Sequence, residues 1–178
     1  MKKILFLIIF LFFIIGCNKK FENKTQIYNN SSSEFGINKG QIAPDFEITT
    51  IDNKKINLSK LRNEKPVLLY FWASWCPYCS LDFNEIKKVY PTYKDKVIFL
   101  AVDIDPRETK ERIQWYKDKK KLDGIDFASD NQNLGEKYQV IYTTSRYAIA
   151  RNGTLIYKSS GNMDENQWKI LLDGLANS

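Results

Sequence analysis

The stretch from Val67 to Cys79, VLLYFWASWCPYC, constrains the chain more than any other. Val67-Leu68-Leu69-Tyr70 is an apolar run that reads as a buried strand. Beyond it, Cys79, Phe83, Ile86 and Tyr90 recur at helical spacing. A Cys-x-x-Cys pair therefore sits where a buried strand passes into a helix. That places Cys76 at or just before the helix N-terminus, where unpaired backbone N–H groups and the macrodipole favour a thiolate. The thiolate is the attacking species in disulfide exchange. Cys79 falls one turn later, within bridging reach. Pro77 takes the first helical position, where its missing N–H costs nothing.

Composition narrows the chemistry further. The chain has 178 residues, three cysteines (Cys17, Cys76 and Cys79) and no histidine. Without histidine there is no Ser-His or Cys-His catalysis, no histidine metal site and no Cys-x-x-Cys-His haem attachment. A four-ligand zinc site finds no further Cys or His beside the pair, which favours redox chemistry over metal binding. Cys17 belongs to the N-terminal segment, so the Cys76–Cys79 pair is left free to cycle, with no cofactor or metal called for. The formal charge is +6, falling to about +4 if the segment bearing Lys2 and Lys3 is removed. That mild excess reads as a lysine-rich solvated surface rather than a nucleic-acid site. The run Lys117-Asp118-Lys119-Lys120-Lys121 follows a predicted helix and suits its dipole.

Residues 1–16 begin with Lys2-Lys3 and continue from Ile4 to Ile15 without a polar side chain, as a signal segment does. The run is short for a spanning helix. Residues 17–38 are rich in Asn, Ser and Lys and read as a flexible tether. Residues 39–178 make the folded domain. In it, Phe46–Ile48 and Lys55–Leu58 flank the turn signal Asp52-Asn53. A short turn of helix is expected over Leu58–Leu61. The helix after Cys76 should stop at Tyr90, because Pro91 disfavours helical backbone before it. Val97–Val102 reads as a second buried strand. Asp105-Pro106-x-Glu108 predicts a helix start that runs on to Lys120. A short strand over Ile125–Ala128 and a short helix over Leu134–Tyr138 follow. Asn152-Gly153 marks a hairpin between Ser145–Ala150 and Thr154–Lys158. Asp164-x-x-Gln167 opens the last helix as a capping box, with Trp168, Leu171, Leu172 and Leu175 on one face.

Phe71-Trp72-Ala73-x-Trp75-Cys76-Pro77-x-Cys79 resembles the motif of the thioredoxin superfamily, and within it the TlpA/ResA/DsbE-like thiol–disulfide oxidoreductases. Ala43-Pro44-Asp45-Phe46, Tyr138-x-Val140 and Arg151-Asn152-Gly153 add to the likeness. The resemblance implies an α/β thioredoxin fold: a mixed central sheet with helices on both faces and an extra N-terminal β-hairpin. It implies Cys76 as nucleophile and Cys79 as resolving thiol, with Trp75, Pro77 and Tyr78 tuning the site. Ile14-Ile15-Gly16-Cys17 resembles the bacterial lipobox, which implies cleavage before Cys17 and its lipidation. The implied protein is a membrane-tethered extracytoplasmic reductase of disulfides in exported proteins, fed by a membrane thiol donor. Relatives of this kind often serve cytochrome c maturation.

Several positions depart from the family pattern. Aligned without gaps back from Gly153, the position of the family's cis-proline holds Thr144, after Thr143. A cis bond without proline costs about 2.5–4 kcal/mol, so this one is expected to be trans or strained. Threonine there adds an N–H and a hydroxyl beside the sulfurs. Arg146 reads either as a charge that lowers a thiol pKa or, more simply, as an exposed strand arginine. Asp82 stands where the family usually has Glu; it reads as a group that passes protons to Cys79 or, more simply, as a stabiliser of the helix start. Tyr70 occupies the place of thioredoxin's buried acid. These departures leave open a disulfide oxidase or isomerase, a thiol peroxidase, and a non-catalytic lipoprotein of the same fold. The peroxidase motif Pro-x-x-x-Thr-x-x-Cys fails here, with Leu69 and Ala73 at its first two positions.

Overall fold

A computed structural model describes residues 34–178. The signal segment, most of the tether and Cys17 lie outside the described residues. In chain order the elements are β1 (Glu47–Thr49), β2 (Lys55–Asn57), α1 (Leu58–Leu61), β3 (Val67–Trp72), α2 (Pro77–Val89), β4 (Ile98–Asp103), α3 (Lys110–Lys120), β5 (Asp126–Ser129), α4 (Leu134–Lys137), β6 (Arg146–Ile149), β7 (Leu155–Ser159) and α5 (Glu165–Ala176). The main sheet has strand order β5-β4-β3-β6-β7, with β1 and β2 forming a separate antiparallel pair. β3, β4 and β5 run parallel, while β6 is antiparallel to β3 and β7 to β6. This is the mixed sheet of a thioredoxin-like fold.

β3 lies at the centre, and all six of its residues are buried. Its alternation feeds two cores, as the strand period of two requires. Leu68, Tyr70 and Trp72 point to the face covered by α2, α3 and α5, where they meet Phe83, Tyr116 and Trp168. Val67, Leu69 and Phe71 point to the other face, beneath the β1–β2 hairpin, α1 and α4, among Ile48, Leu58 and Leu134. Helices therefore flank both faces, and the end of β3 delivers the chain to the redox pair.

Local signals account for most boundaries. α2 gives way to a 3-10 turn at Tyr90–Thr92, which carries Pro91. The capping box at Asp164 is present, with Trp168, Leu171, Leu172 and Leu175 buried on one face of α5. The β6–β7 hairpin turns at Gly153, whose φ of +86° a side chain would resist, and whose Cβ would lie 2.8 Å from Arg62 Nε. One expected boundary is corrected. Asp105 does not cap α3: the helix begins at Lys110 with the Thr109 hydroxyl as its cap. The carboxylates of Asp105 and Glu108 are taken instead by groups on the turn before Cys76, described next.

Candidate active site

The turn after β3 is built for a helix start. Cys76 has extended backbone (φ −77°, ψ 113°) and serves as the N-cap of α2, with Pro77 in the first turn. Its Sγ accepts the Cys79 backbone N–H at 3.1 Å. The two cysteines are joined as a disulfide, with their Cα atoms 5.3 Å apart. The Thr143 Oγ1 lies 3.2 Å from the Cys76 sulfur. A disulfide sulfur carries no proton, so the threonine hydroxyl donates. Cys76 is buried, and the surface around it belongs to Trp75 and Tyr78, which are 60% and 63% exposed. A groove of about 550 Å³ opens beside Thr143, lined by Trp75, Ile104, Pro106, Ile141 and Tyr142.

The loop after β4 grips the turn that precedes Cys76. Trp75 Nε1 donates to Asp105 Oδ2 at 2.6 Å, and Arg107 pairs with the same carboxylate at 2.7 Å. These donors hold the Asp105 carboxyl well below the usual carboxylate range, Arg107 foremost. Glu108 Oε1 accepts from the Ser74 backbone N–H at 3.2 Å and from the Ser74 hydroxyl. Trp75 is thus positioned by a hydrogen bond across the turn rather than by burial.

Beneath the disulfide lies a buried polar network. Asp82 is 1% exposed and Arg146 fully buried, with Arg146 Nη2 3.2 Å from Asp82 Oδ2. The Tyr70 hydroxyl donates to the same oxygen at 2.9 Å, and the Met163 N–H donates to Oδ1 at 2.9 Å. Burial pushes the Asp82 carboxyl up, and the Arg146 guanidinium, Met163 N–H and Tyr70 hydroxyl pull it back. Burial also pushes the Tyr70 phenol well up, with the Asp82 charge adding to it. The Arg146 guanidinium carbon sits 4.8 Å from the centre of the Trp168 ring. The expectation of an exposed strand arginine is therefore corrected. β6 lies next to central β3, so its side chains are covered from both sides, and only a buried carboxylate makes a buried arginine tenable.

Thr144 does a different job from the one its alignment suggested. No described peptide bond is cis, and Thr144 holds φ at +72°. A β-branched residue pays conformational energy in that region. The strain is held by hydrogen bonds on every polar group: Thr144 N–H donates to Phe71 O at 2.7 Å, its Oγ1 accepts Gly161 N–H at 3.0 Å, and its carbonyl accepts from Arg146. None of these bonds is to a sulfur, and the hydroxyl beside Cys76 belongs to Thr143. The structure thus brings together Cys76, Cys79, Trp75, Pro77 and Tyr78 at the surface, and Asp82 and Arg146 below. Thr143, Ser74 and Asp103 were not singled out by the sequence, and Glu108 was read only as part of a helix start. Thr143 left a trace there only as the neighbour of the aligned position. Among the described residues no three metal-ligating side chains converge.

A strand-to-helix dithiol on this sheet defines the class: a thiol–disulfide oxidoreductase acting on disulfide-bearing substrates. The chain belongs to the AhpC/TSA family, whose pattern matches residues 39–165. It is 29% identical to the thioredoxin-like protein YneN of Bacillus subtilis over 80% of this chain and 84% of that one. It is 30% identical to the thiol-disulfide oxidoreductase ResA of Bacillus cereus, over 76% of this chain and 78% of ResA. In fold it superposes on StoA from Bacillus subtilis with a TM-score of 0.62 at 21% identity, covering 72% of this chain and 96% of StoA.

Two measurements test the network. Arg146→Met leaves the Asp82 charge buried without its partner, which costs about 3–5 kcal/mol in denaturant unfolding. It also moves the Asp82 carboxyl further up, since the guanidinium is the largest influence lowering it. Adding Asp82→Asn to Arg146→Met recovers a large part of the loss; simple addition of the two single effects would show no coupling. Thr144→Pro removes the N–H to Phe71 and demands a φ near −65° where the chain holds +72°. It therefore destabilises by more than about 1 kcal/mol, read as a lowered unfolding midpoint.

Proposed function

We propose that this chain is a lipid-anchored, extracytoplasmic oxidoreductase that reduces disulfides of exported proteins, with Cys76 attacking and Cys79 resolving. The observation that carries the assignment is that two donors, the Cys79 N–H and the Thr143 hydroxyl, are aimed at the Cys76 sulfur. In the reduced state these donors and the helix N-terminus favour the Cys76 thiolate. The thiolate attacks one sulfur of a substrate disulfide, whose S–S bond breaks to leave a mixed disulfide and one substrate thiol. Cys79 then gives up its proton and attacks the Cys76 sulfur. The second substrate thiol departs, and the Cys76–Cys79 disulfide forms. Asp82, one helical turn beyond Cys79 and with its carboxyl pushed up by burial, is the group on α2 suited to take that proton. A membrane thiol donor resets the pair.

The groove beside Thr143 supports an extended substrate segment, with Trp75, Ile141 and Tyr142 offering apolar contact. The TlpA/ResA-like motif around Cys76 and Cys79 is the ground for the reducing direction, and the paired cysteines of exported apocytochromes c are a fitting substrate class. The charged start, apolar run and Cys17 support the anchor, and Trp75, Pro77, Tyr78, Thr144 and Arg146 serve as surroundings rather than reactants.

Cys79→Ser is expected to accumulate a mixed disulfide through Cys76, while Cys76→Ser accumulates little; equal trapping by both would reject the roles. A reductase also requires a Cys76–Cys79 potential near thioredoxin's value of about −270 mV, whereas a value near about −120 mV would make the protein an oxidase. For the anchor, Cys17→Ser is expected to move the protein from the membrane fraction to the soluble fraction. Retention with unchanged mass would count against lipidation.

A further inference from the structure

Asp103 closes β4 and Glu108 stands in the loop that follows it. Asp103 is 2% exposed. Its Oδ1 accepts the Asp105 N–H at 2.8 Å. Its Oδ2 is buried with no hydrogen-bond partner among the described residues, and so is Glu108 Oε2. The Glu108 carboxyl acts on Asp103 as a neighbouring group, through its charge and its side chain, and pushes the Asp103 carboxyl up. Two carboxylate oxygens cannot face each other in a buried site without a proton between them, because each can only accept. A single shared proton satisfies both at once and leaves the pair with one negative charge.

We propose that Asp103 and Glu108 share one proton and, through Ser74, act as positioning residues that set the turn leading into Cys76. The inference rests on Cys76 being the reactive thiol. Glu108 holds both the N–H and the hydroxyl of Ser74, two residues before Cys76. Asp103 holds the Asp105 N–H, and Asp105 in turn holds the Trp75 indole. The end of β4 thus controls both residues that precede the nucleophile. Losing the shared proton sets two carboxylates against each other, Asp103 buried and Glu108 half-buried. Glu108 is then driven from Ser74, and a second negative charge is placed behind the Cys76 sulfur, where it opposes the thiolate.

Other groups near the pair do not replace that proton. Asp105 adds negative charge from the same loop. Arg107 is committed to Asp105. Arg112, on α3, reaches the Ser74 hydroxyl from the far side at 3.4 Å. The Tyr116 phenol of α3 is pushed up by burial, and the Glu108 charge adds to that. From the β5 side, Asp130 is engaged by the N–H groups of Leu134 and Gly135. Burial first, and then the Glu108 and Asp105 charges, push the Asp103 carboxyl up to about 8.

The sign of the pH effect follows. Between the ordinary aspartate value of 3.8 and about 8, the folded chain keeps a proton that the unfolded chain has released. Stability therefore falls as pH rises through that interval and levels off above it. The test uses the full-length chain, with Asp103→Asn and Glu108→Gln as two independent variants. Carboxyl carbon NMR of the wild type is expected to show one Asp103 titration near pH 8. Unfolding midpoints are expected to fall with pH in the wild type and to fall less steeply in Asp103→Asn. Alkylation of reduced Cys76 is expected to show, beside the thiol's own step, a second step of about threefold slowing at the Asp103 titration, absent from both variants. Titration of Asp103 in the ordinary carboxylate range would overturn the shared proton. A second alkylation step that persists in both variants would overturn the link to Cys76. The NMR and stability readouts do not involve the thiols, so failure of the Cys76 assignment would leave them intact and show itself only in the alkylation.

Discussion

The buried contact between Arg146 and Asp82 is the constraint on which the site depends. A guanidinium with no exposure to water cannot be left alone, and neither can the carboxylate it meets. Their requirements, with those of Tyr70, draw five parts of the chain to one point. Asp82 brings α2 and, by accepting the Met163 N–H, the loop before α5. Arg146 brings β6 and, by donating to the carbonyls of Thr144 and Gly161, the two loops that border the disulfide. Tyr70 adds the central strand. The depth at which α2 sits on the sheet, and hence the height of Cys76 and Cys79 above it, follows from that meeting. An ion pair of this kind contributes little net stability, because desolvation offsets attraction. Its effect is to make other arrangements of these parts costly.

A second set of carboxylates works from the opposite side. The loop after β4 supplies Asp105 to Trp75 and Glu108 to Ser74. The redox turn is therefore held between an acidic loop on one flank and Thr143, itself kept in place by strained Thr144, on the other. The residues around the disulfide are fixed by hydrogen bonds to neighbouring loops, while Trp75 and Tyr78 remain open to a substrate. Rigid support beneath an open rim suits a dithiol that must meet a substrate disulfide in one geometry.

What could be read in advance was what short-range chemistry decides. β3 announced itself by an unbroken apolar run, α2 by Cys76-Pro77 and Pro91, and α5 by a capping box whose both halves are present. The failures share one physical cause. Asp105-Pro106-x-Glu108 has the letters of a helix start, but tertiary donors claimed both carboxylates and the helix opened at Lys110 instead. Arg146 looked like a surface residue because its partner lies 64 positions earlier. Thr144 was aligned to the right loop, but its left-handed backbone turns its own groups away and leaves Thr143 beside the sulfur. The partner of a polar side chain is a property of the assembled fold, and periodicity carries no information about it.

The short segment before β1 has a mechanical consequence. Gly40 N–H donates to Leu155 O, and Leu155 N–H donates to Gln41 O. The chain thus joins the sheet at the start of β7. Through β6, that corner lies level with Val67, at the end of β3 away from the disulfide. At about 3.3 Å per residue, the length of β3 puts about 17 Å between that corner and the turn that bears Cys76. Tension applied through the N-terminal side of the domain would load the hydrogen bonds that tie Glu34 and Gly36 to Ile42 first, and those at Leu155 next. The redox turn sits at the far end of β3 from the corner where such a load enters the sheet.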